Sequence, residues 1–185
     1  VNDLTVAPSL YYNVTGKFEK LGNSVVSIAP EGSATTYNSK AVVTLYKYGE
    51  TTPYIVATTD EAEKSGNTVS FTFEDVEAGN YYFTIEKNGY IKYTSGKIVV
   101  TEETDITNGV AVVLIAGDIK GSFADTCGDG VVDIDDFIRV IRGFDPNAGE
   151  LLKGAVDINE NGNVDIEDLA AIKTNFKKTS ANYNS

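Results

Sequence analysis

At 185 residues the chain is long enough for one generous domain or two small ones, and its formal net charge is −12. That balance argues against nucleic acid or an anionic membrane surface as partner, because both need a basic patch. Histidine is absent and cysteine occurs once, which excludes His-dependent triad hydrolases, His-containing zinc sites and internal disulfides.

In chain order, residues 1–10 read as a leader or the end of a linker. No apolar run reaches membrane-spanning length and no basic-then-apolar start is present, so a soluble fragment or mature product without direct membrane contact is expected. From Tyr11 to about Ala116 short alternating apolar runs are separated by turn residues. The predicted strands are NVTGKFEKL, NSVVSIA, KAVVTLYKY, PYIVATT, NTVSFTFEDV, GNYYFTIEKN, YIKYTSGKIVVT and GVAVVLIAG. Period-two alternation is plain at Val69, Phe71 and Phe73 and at Tyr81, Phe83 and Ile85. Turn chemistry stands between the runs, as at Ser65-Gly66-Asn67 and Asn88-Gly89. Regular strands without intervening amphipathic helices predict an antiparallel β-sandwich over 11–116. Carboxylates such as Glu74, Asp75 and Glu86 read as solvated strand or turn positions, since nothing in the sequence brings two together.

Beyond Gly117 two acidic loops appear, each followed by a segment of helical period. The better formed is DINENGNVDIED, Asp157 to Asp168. Asp157, Asn159, Asn161, Asp165 and Asp168 occupy its first, third, fifth, ninth and twelfth places, with Gly162 sixth and the carbonyl of Asn163 seventh. That is the ligand rhythm of an EF-hand calcium loop, which wraps a hard cation in six to eight oxygens and turns sharply at the glycine. Aspartate replaces the usual glutamate at the twelfth place, so any bidentate contact comes from a shorter arm. The twin loop DTCGDGVVDIDD lies 32 residues earlier, with Asp125, Asp129, Val131, Asp133 and Asp136 in the corresponding positions. Its third place is Cys127, a soft and poor calcium ligand. A second register is open, in which Asp118 is the first ligand and SFADTCG is an insertion.

The segment IDDFIRVIRGF sets Phe137, Val140 and Phe144 on one stripe, and IEDLAAIKTNF sets Leu169, Ile172 and Phe176 on its equivalent. The two helices are expected to pack antiparallel along these stripes, with one short helix around Glu150 to Lys153 between them. Ile134, Ile138, Ile141, Ile166 and Ala170 are then left without a place in that core. With Arg139, Arg142 and Lys173 they suggest an interface with an apolar centre and a charged rim. The tail after Lys178 is expected to be loose, though its tyrosine can dock.

Neither loop is preceded by the long amphipathic helix of a true EF-hand. Paired loop–helix motifs of this kind after a β-domain resemble a dockerin. The residues that carry the resemblance are GDI at Gly117 to Ile119, the two loops, DDFIRVIRGF and DINENGNVDIEDLAAIKTNF. FTFEDVEAGNYYFTIEKNGYIKYTSGKIVVT is similar to X-modules and to carboxypeptidase-regulatory-like, immunoglobulin-like sandwiches. The whole chain thus resembles the X-module–dockerin end of a cellulosomal scaffoldin, of the type II class.

The resemblance implies a non-catalytic anchoring module on the cell surface, with two Ca2+ sites and a cohesin domain as partner. It implies an X-module over 11–116 and a dockerin over 117–185, with loop–helix motifs at 125–144 and 157–177. Recognition in the family uses the tenth and eleventh loop places and the outer helix face. Here these hold Ile134, Asp135, Ile138, Arg139, Ile141 and Arg142 in the first motif, and Ile166, Glu167, Ala170, Lys173 and Thr174 in the second. The alternative is an EF-hand-like sensor or buffer fused to a carbohydrate-binding sandwich.

Overall fold

The computed structural model describes residues 10–21, 41–59, 67–119, 121 and 128–184. The predicted strand NSVVSIA and the residues Asp125 and Cys127 lie outside them. The first sheet is built from β1 (Tyr11–Glu19), β4 (Thr58–Thr59), β5 (Thr68–Glu77), β9 (Thr104–Asp105) and β10 (Val112–Val113). Its order is β10-β1-β5-β4, with β9 also on β1. The second contains β2 (Val42–Lys47), β3 (Pro53–Val56), β6 (Gly79–Glu86), β7 (Tyr93–Thr94) and β8 (Ile98–Val100). Its order is β3-β2-β6-β7, with β8 also on β6.

The core follows from the alternation. Val14 and Phe18 of β1, Val43 and Leu45 of β2, Val69, Phe71 and Phe73 of β5, and Tyr81, Phe83 and Ile85 of β6 are all buried. Each such large apolar side chain contributes about 1.5–3 kcal/mol by leaving water. Phe71 joins the layers, with its ring 5.6 Å from those of both Phe73 and Phe83.

Two strand expectations are corrected. PYIVATT is not one strand: the chain leaves the second sheet after Val56 and enters the first at Thr58. YIKYTSGKIVVT divides into β7 and β8. The sandwich is also not wholly antiparallel, because β9 and β10 both run parallel to β1.

After β10 come α1 (Ile134–Gly143), α2 (Glu150–Val156), α3 (Ile166–Asn175) and a 3-10 turn, Ser180–Asn184. Asp133 and Asp165 cap α1 and α3, each in a capping box with the aspartate three residues on. Reciprocal capping of this kind satisfies N–H groups that a helix start leaves open.

The packing of α1 against α3 differs from expectation. Phe137, Phe144 and Phe176 are exposed, while Val140, Gly143, Ala155, Val156, Ala171 and Ile172 are buried. On the buried side Gly143 packs tightly on α2 and the second loop, where a Cβ would meet Val156 Cγ2 at 2.5 Å and Val164 Cγ1 at 3.0 Å. The seam is filled by these smaller side chains, and the phenylalanines face outward. Gly143→Ala is expected to lower stability by about 1–3 kcal/mol through overpacking, measured by denaturant unfolding in calcium.

The expected loose tail is ordered. Lys177 N donates to Val132 O at 2.7 Å and Val132 N to Lys178 O at 3.0 Å. Tyr183 Oη donates to Ile91 O at 2.7 Å and accepts from Ile115 N at 3.0 Å, bolting the chain end to the sandwich.

Candidate metal loops and the helical face beside them

In the second loop, Asp157 Oδ2 accepts from Gly162 N at 2.9 Å and Oδ1 from Asn161 N at 3.2 Å. Asn159 Oδ1 accepts from Asn161 N at 3.1 Å, and Asn161 Oδ1 accepts from Asn163 N at 2.8 Å. Asp165 Oδ1 accepts from Glu167 N at 2.8 Å. Asp168 closes the loop, taking Asp165 N on Oδ2 at 2.9 Å and Ile158 N on Oδ1 at 2.7 Å. Gly162 turns at φ +88°, a left-handed conformation glycine adopts without steric cost.

Five of these bonds recur in the first loop, with Asp118 in the place of Asp157. Asp118 Oδ2 accepts from Gly130 N at 3.0 Å, and Gly130 turns at φ +92°. Asp129 Oδ1 accepts from Val131 N at 3.0 Å, and Asp133 Oδ1 from Asp135 N at 2.8 Å. Asp136 takes Asp133 N on Oδ2 and Ile119 N on Oδ1, both at 2.8 Å. Ile119 therefore matches Ile158, and Asp118 stands directly before it as Asp157 stands before Ile158. Seven more residues separate Ile119 from Asp129 than separate Ile158 from Asn161. This is the register in which SFADTCG is inserted; Asp125, the opening residue of the other register, is outside the described residues.

Burial raises the pKa of Asp118, Asp136, Asp157 and Asp168 above the ordinary carboxylate range. Asp118 is pushed to about 7, by burial first and then by the charges of Asp136 and Asp129. Asp136 and Asp157 are pushed to about 6 and Asp168 is also raised, burial being the first cause in each. Asp118 Oδ1 is buried with no hydrogen-bond partner among the described residues. A buried carboxylate oxygen in that condition suits a cation that takes hard oxygen ligands. No group of three His, Cys, Asp or Glu side chains is gathered tightly enough to hold a metal unaided, among the described residues. The donor set of carboxylate, amide and backbone oxygens is of the hard kind that calcium takes.

The proposed docking residues divide unevenly. Ile134, Ile138 and Ile141 are exposed on α1 beside Asp135 and Arg142, while Arg139 is half-buried and its Nη1 donates to Gly121 O at 3.2 Å. Phe137 and Phe144, which the helical spacing assigned to the core, join this apolar face at 38% and 42% exposure. On α3, Ile166 is 71% exposed, but the same face continues with Ala170, Lys173 and Thr174. Thr174 Oγ1 turns back to Ala170 O at 2.8 Å, and Glu167 Oε2 accepts from Asn159 Nδ2 at 2.8 Å.

A further set of residues, unforeseen in the sequence, fastens the second loop to the sandwich. Tyr90 Oη donates to Ile158 O at 3.2 Å and accepts from Leu21 N at 2.9 Å. Asn88 Nδ2 donates to Ala155 O at 2.7 Å. Lys87 Nζ meets Glu160 Oε1 at 2.8 Å, and Lys20 Nζ meets Glu160 Oε2. The Asn88-Gly89 turn was legible as a turn; nothing local told what it touches.

Residues 123–177 match the family model of the dockerin type I domain. The matched segment begins after Asp118 and takes in Asp125, whereas the hydrogen bonds place Asp118 over the loop. A β-sandwich followed by a dockerin-like pair of loop–helix motifs is the class this architecture defines. Over 93% of its length the chain is similar to two solved type II cohesin–X-dockerin complexes from Acetivibrio cellulolyticus, one an N-terminal and one a C-terminal interface mutant. Each match is 23% identical and covers 99% of the other chain, with TM-scores of 0.61 and 0.59. The fold is thus that of an X-module–dockerin pair. A search of curated proteins finds no match.

Proposed function

We propose that the chain is a non-catalytic, calcium-dependent anchoring module whose α1 face docks a cohesin. Residues 11–116 form the bracing X-module and 117–185 the dockerin. Docking attaches a cellulosomal scaffoldin or enzyme complex to a cell surface, outside the cell. The observation that carries this reading is the apolar face of Ile134, Phe137, Ile138, Ile141 and Phe144, exposed beside two loops that carry the buried carboxylates Asp118, Asp136 and Asp168. Nucleic acid is unsuited to so acidic a chain, and no described helix is long and apolar enough to cross a membrane.

Asp118, Asp129, Val131, Asp133 and Asp136 would hold one ion, and Asp157, Asn159, Asn161, Asn163, Asp165 and Asp168 the other. When bound, calcium supplies positive charge that offsets the clustered carboxylates and fixes the starts of α1 and α3. The chain's own residues do the recognition. The isoleucine at the tenth place of each loop favours a type II cohesin, as does the likeness to type II complexes.

Calorimetric titration of the chain with type I and type II cohesins tests this. Binding to the type II partner is expected in calcium, with affinity reduced a hundredfold or more by chelator. Capture that survives chelation would overturn the calcium-dependent mechanism, and a preference for the type I partner would overturn the assignment of class.

A further inference from the structure

The two loops also differ at the residue just before the fifth-place ligand. The first has Gly128 there, the last residue of the insertion, so close to Asp118 that a Cβ would stand 1.6 Å from its Oδ1. The second has Glu160, held at φ +56°, a left-handed conformation uncommon for a residue with a side chain. Its carboxylate is drawn out to the sandwich, where it meets Lys20 and Lys87, whose side chains are fully buried. Lys20 follows β1 of the first sheet and Lys87 follows β6 of the second. One carboxylate thus ties an inner strand of each sheet to a single turn of the loop.

We propose that Glu160 is a positioning residue for the second calcium site, and that the sandwich sets that site's affinity through the Lys20–Glu160–Lys87 clamp. The inference rests on the calcium reading above. Two effects carry it. The clamp fixes the left-handed turn between Asn159 and Asn161, so both amide side chains are set before an ion arrives. It also stands between two buried ammonium groups and the loop, offsetting positive charge that would repel a divalent cation. The first loop has no side chain at this place and no such dependence.

The test uses the full chain as wild type, E160Q and the neutralised K20M/K87M/E160Q. Calcium titration calorimetry is paired with amide hydrogen exchange over 157–162 in the metal-free protein. Both variants are expected to lose tenfold or more in affinity at one site, with the other unchanged and exchange over 157–162 faster. The neutralised variant should unfold within a few degrees of wild type in calcium, which separates loss of the clamp from loss of the fold. Unchanged affinity at both sites, or an equal fall at both, would overturn the proposal. If the wild type takes up no calcium, the calcium reading itself fails; the clamp is then judged by exchange, and unaltered exchange in E160Q overturns it.

Discussion

Asp118→Asn is expected to stabilise the metal-free protein and to strip one of two calcium ions from the loaded one. Asp118 is 1% exposed, one carboxylate oxygen lacks a hydrogen-bond partner among the described residues, and Asp136 and Asp129 raise its pKa by charge. An amide keeps an acceptor for Gly130 N and presents N–H groups to acidic neighbours. Removing a buried unsatisfied acceptor of this kind returns about 1–3 kcal/mol. In calcium that gain is offset, because a lost ion at one hundred times its Kd removes about 2.7 kcal/mol of stabilisation. Thermal unfolding with and without chelator reads the two effects, and calorimetry reads the stoichiometry. Asp125→Asn is the control and should leave two ions bound. The opposite pattern, with Asp125 essential and Asp118 dispensable, would restore the contiguous register.

The second large effect concerns partner docking. Ile138→Asp is expected to weaken cohesin binding by about 2–4 kcal/mol, the range of a central interface residue. Ala170→Asp, at the equivalent place on α3, should cost less than a factor of ten. The reason is the unequal exposure of apolar surface: α1 presents Ile134, Phe137, Ile138, Ile141 and Phe144 together. The matching face of α3 passes from Ile166 through Ala170 to Lys173 before reaching Phe176, the counterpart of Phe144. One preferred orientation follows. Equal losses in the two variants would mean that the helices exchange roles.

Much of the fold was legible because a half-buried strand writes its period into the chain. The triplets Val69-Phe71-Phe73 and Tyr81-Phe83-Ile85 face inward as alternation requires. The crossing from one sheet to the other at Ala57 leaves no such mark, since alternation is a property of the strand and not of its neighbours. Phe137 and Phe144 misled for a related reason. Helical spacing tells which residues share a face but not whether that face meets protein or solvent. Asp118 was harder to place than Asp157 because its partner, Gly130, lies across an insertion, whereas Gly162 is five residues from Asp157. The lysines on Glu160 are 140 and 73 residues distant, beyond the reach of any local pattern.

The parallel pairing of β1 with β9 and β10 has a mechanical consequence. Leu114 N donates to Glu19 O and Ile106 N to Thr15 O, each at 2.9 Å, so the chain leading into the loops is laced alongside β1. Tension between the chain upstream of Tyr11 and a partner seated on α1 pulls these neighbours past one another along their length. The cross-links between them are then loaded side by side, in shear, and resist as a group. Antiparallel neighbours pulled from adjoining ends would instead open bond by bond, like a zip. The strand order therefore suits a tether under sustained pull.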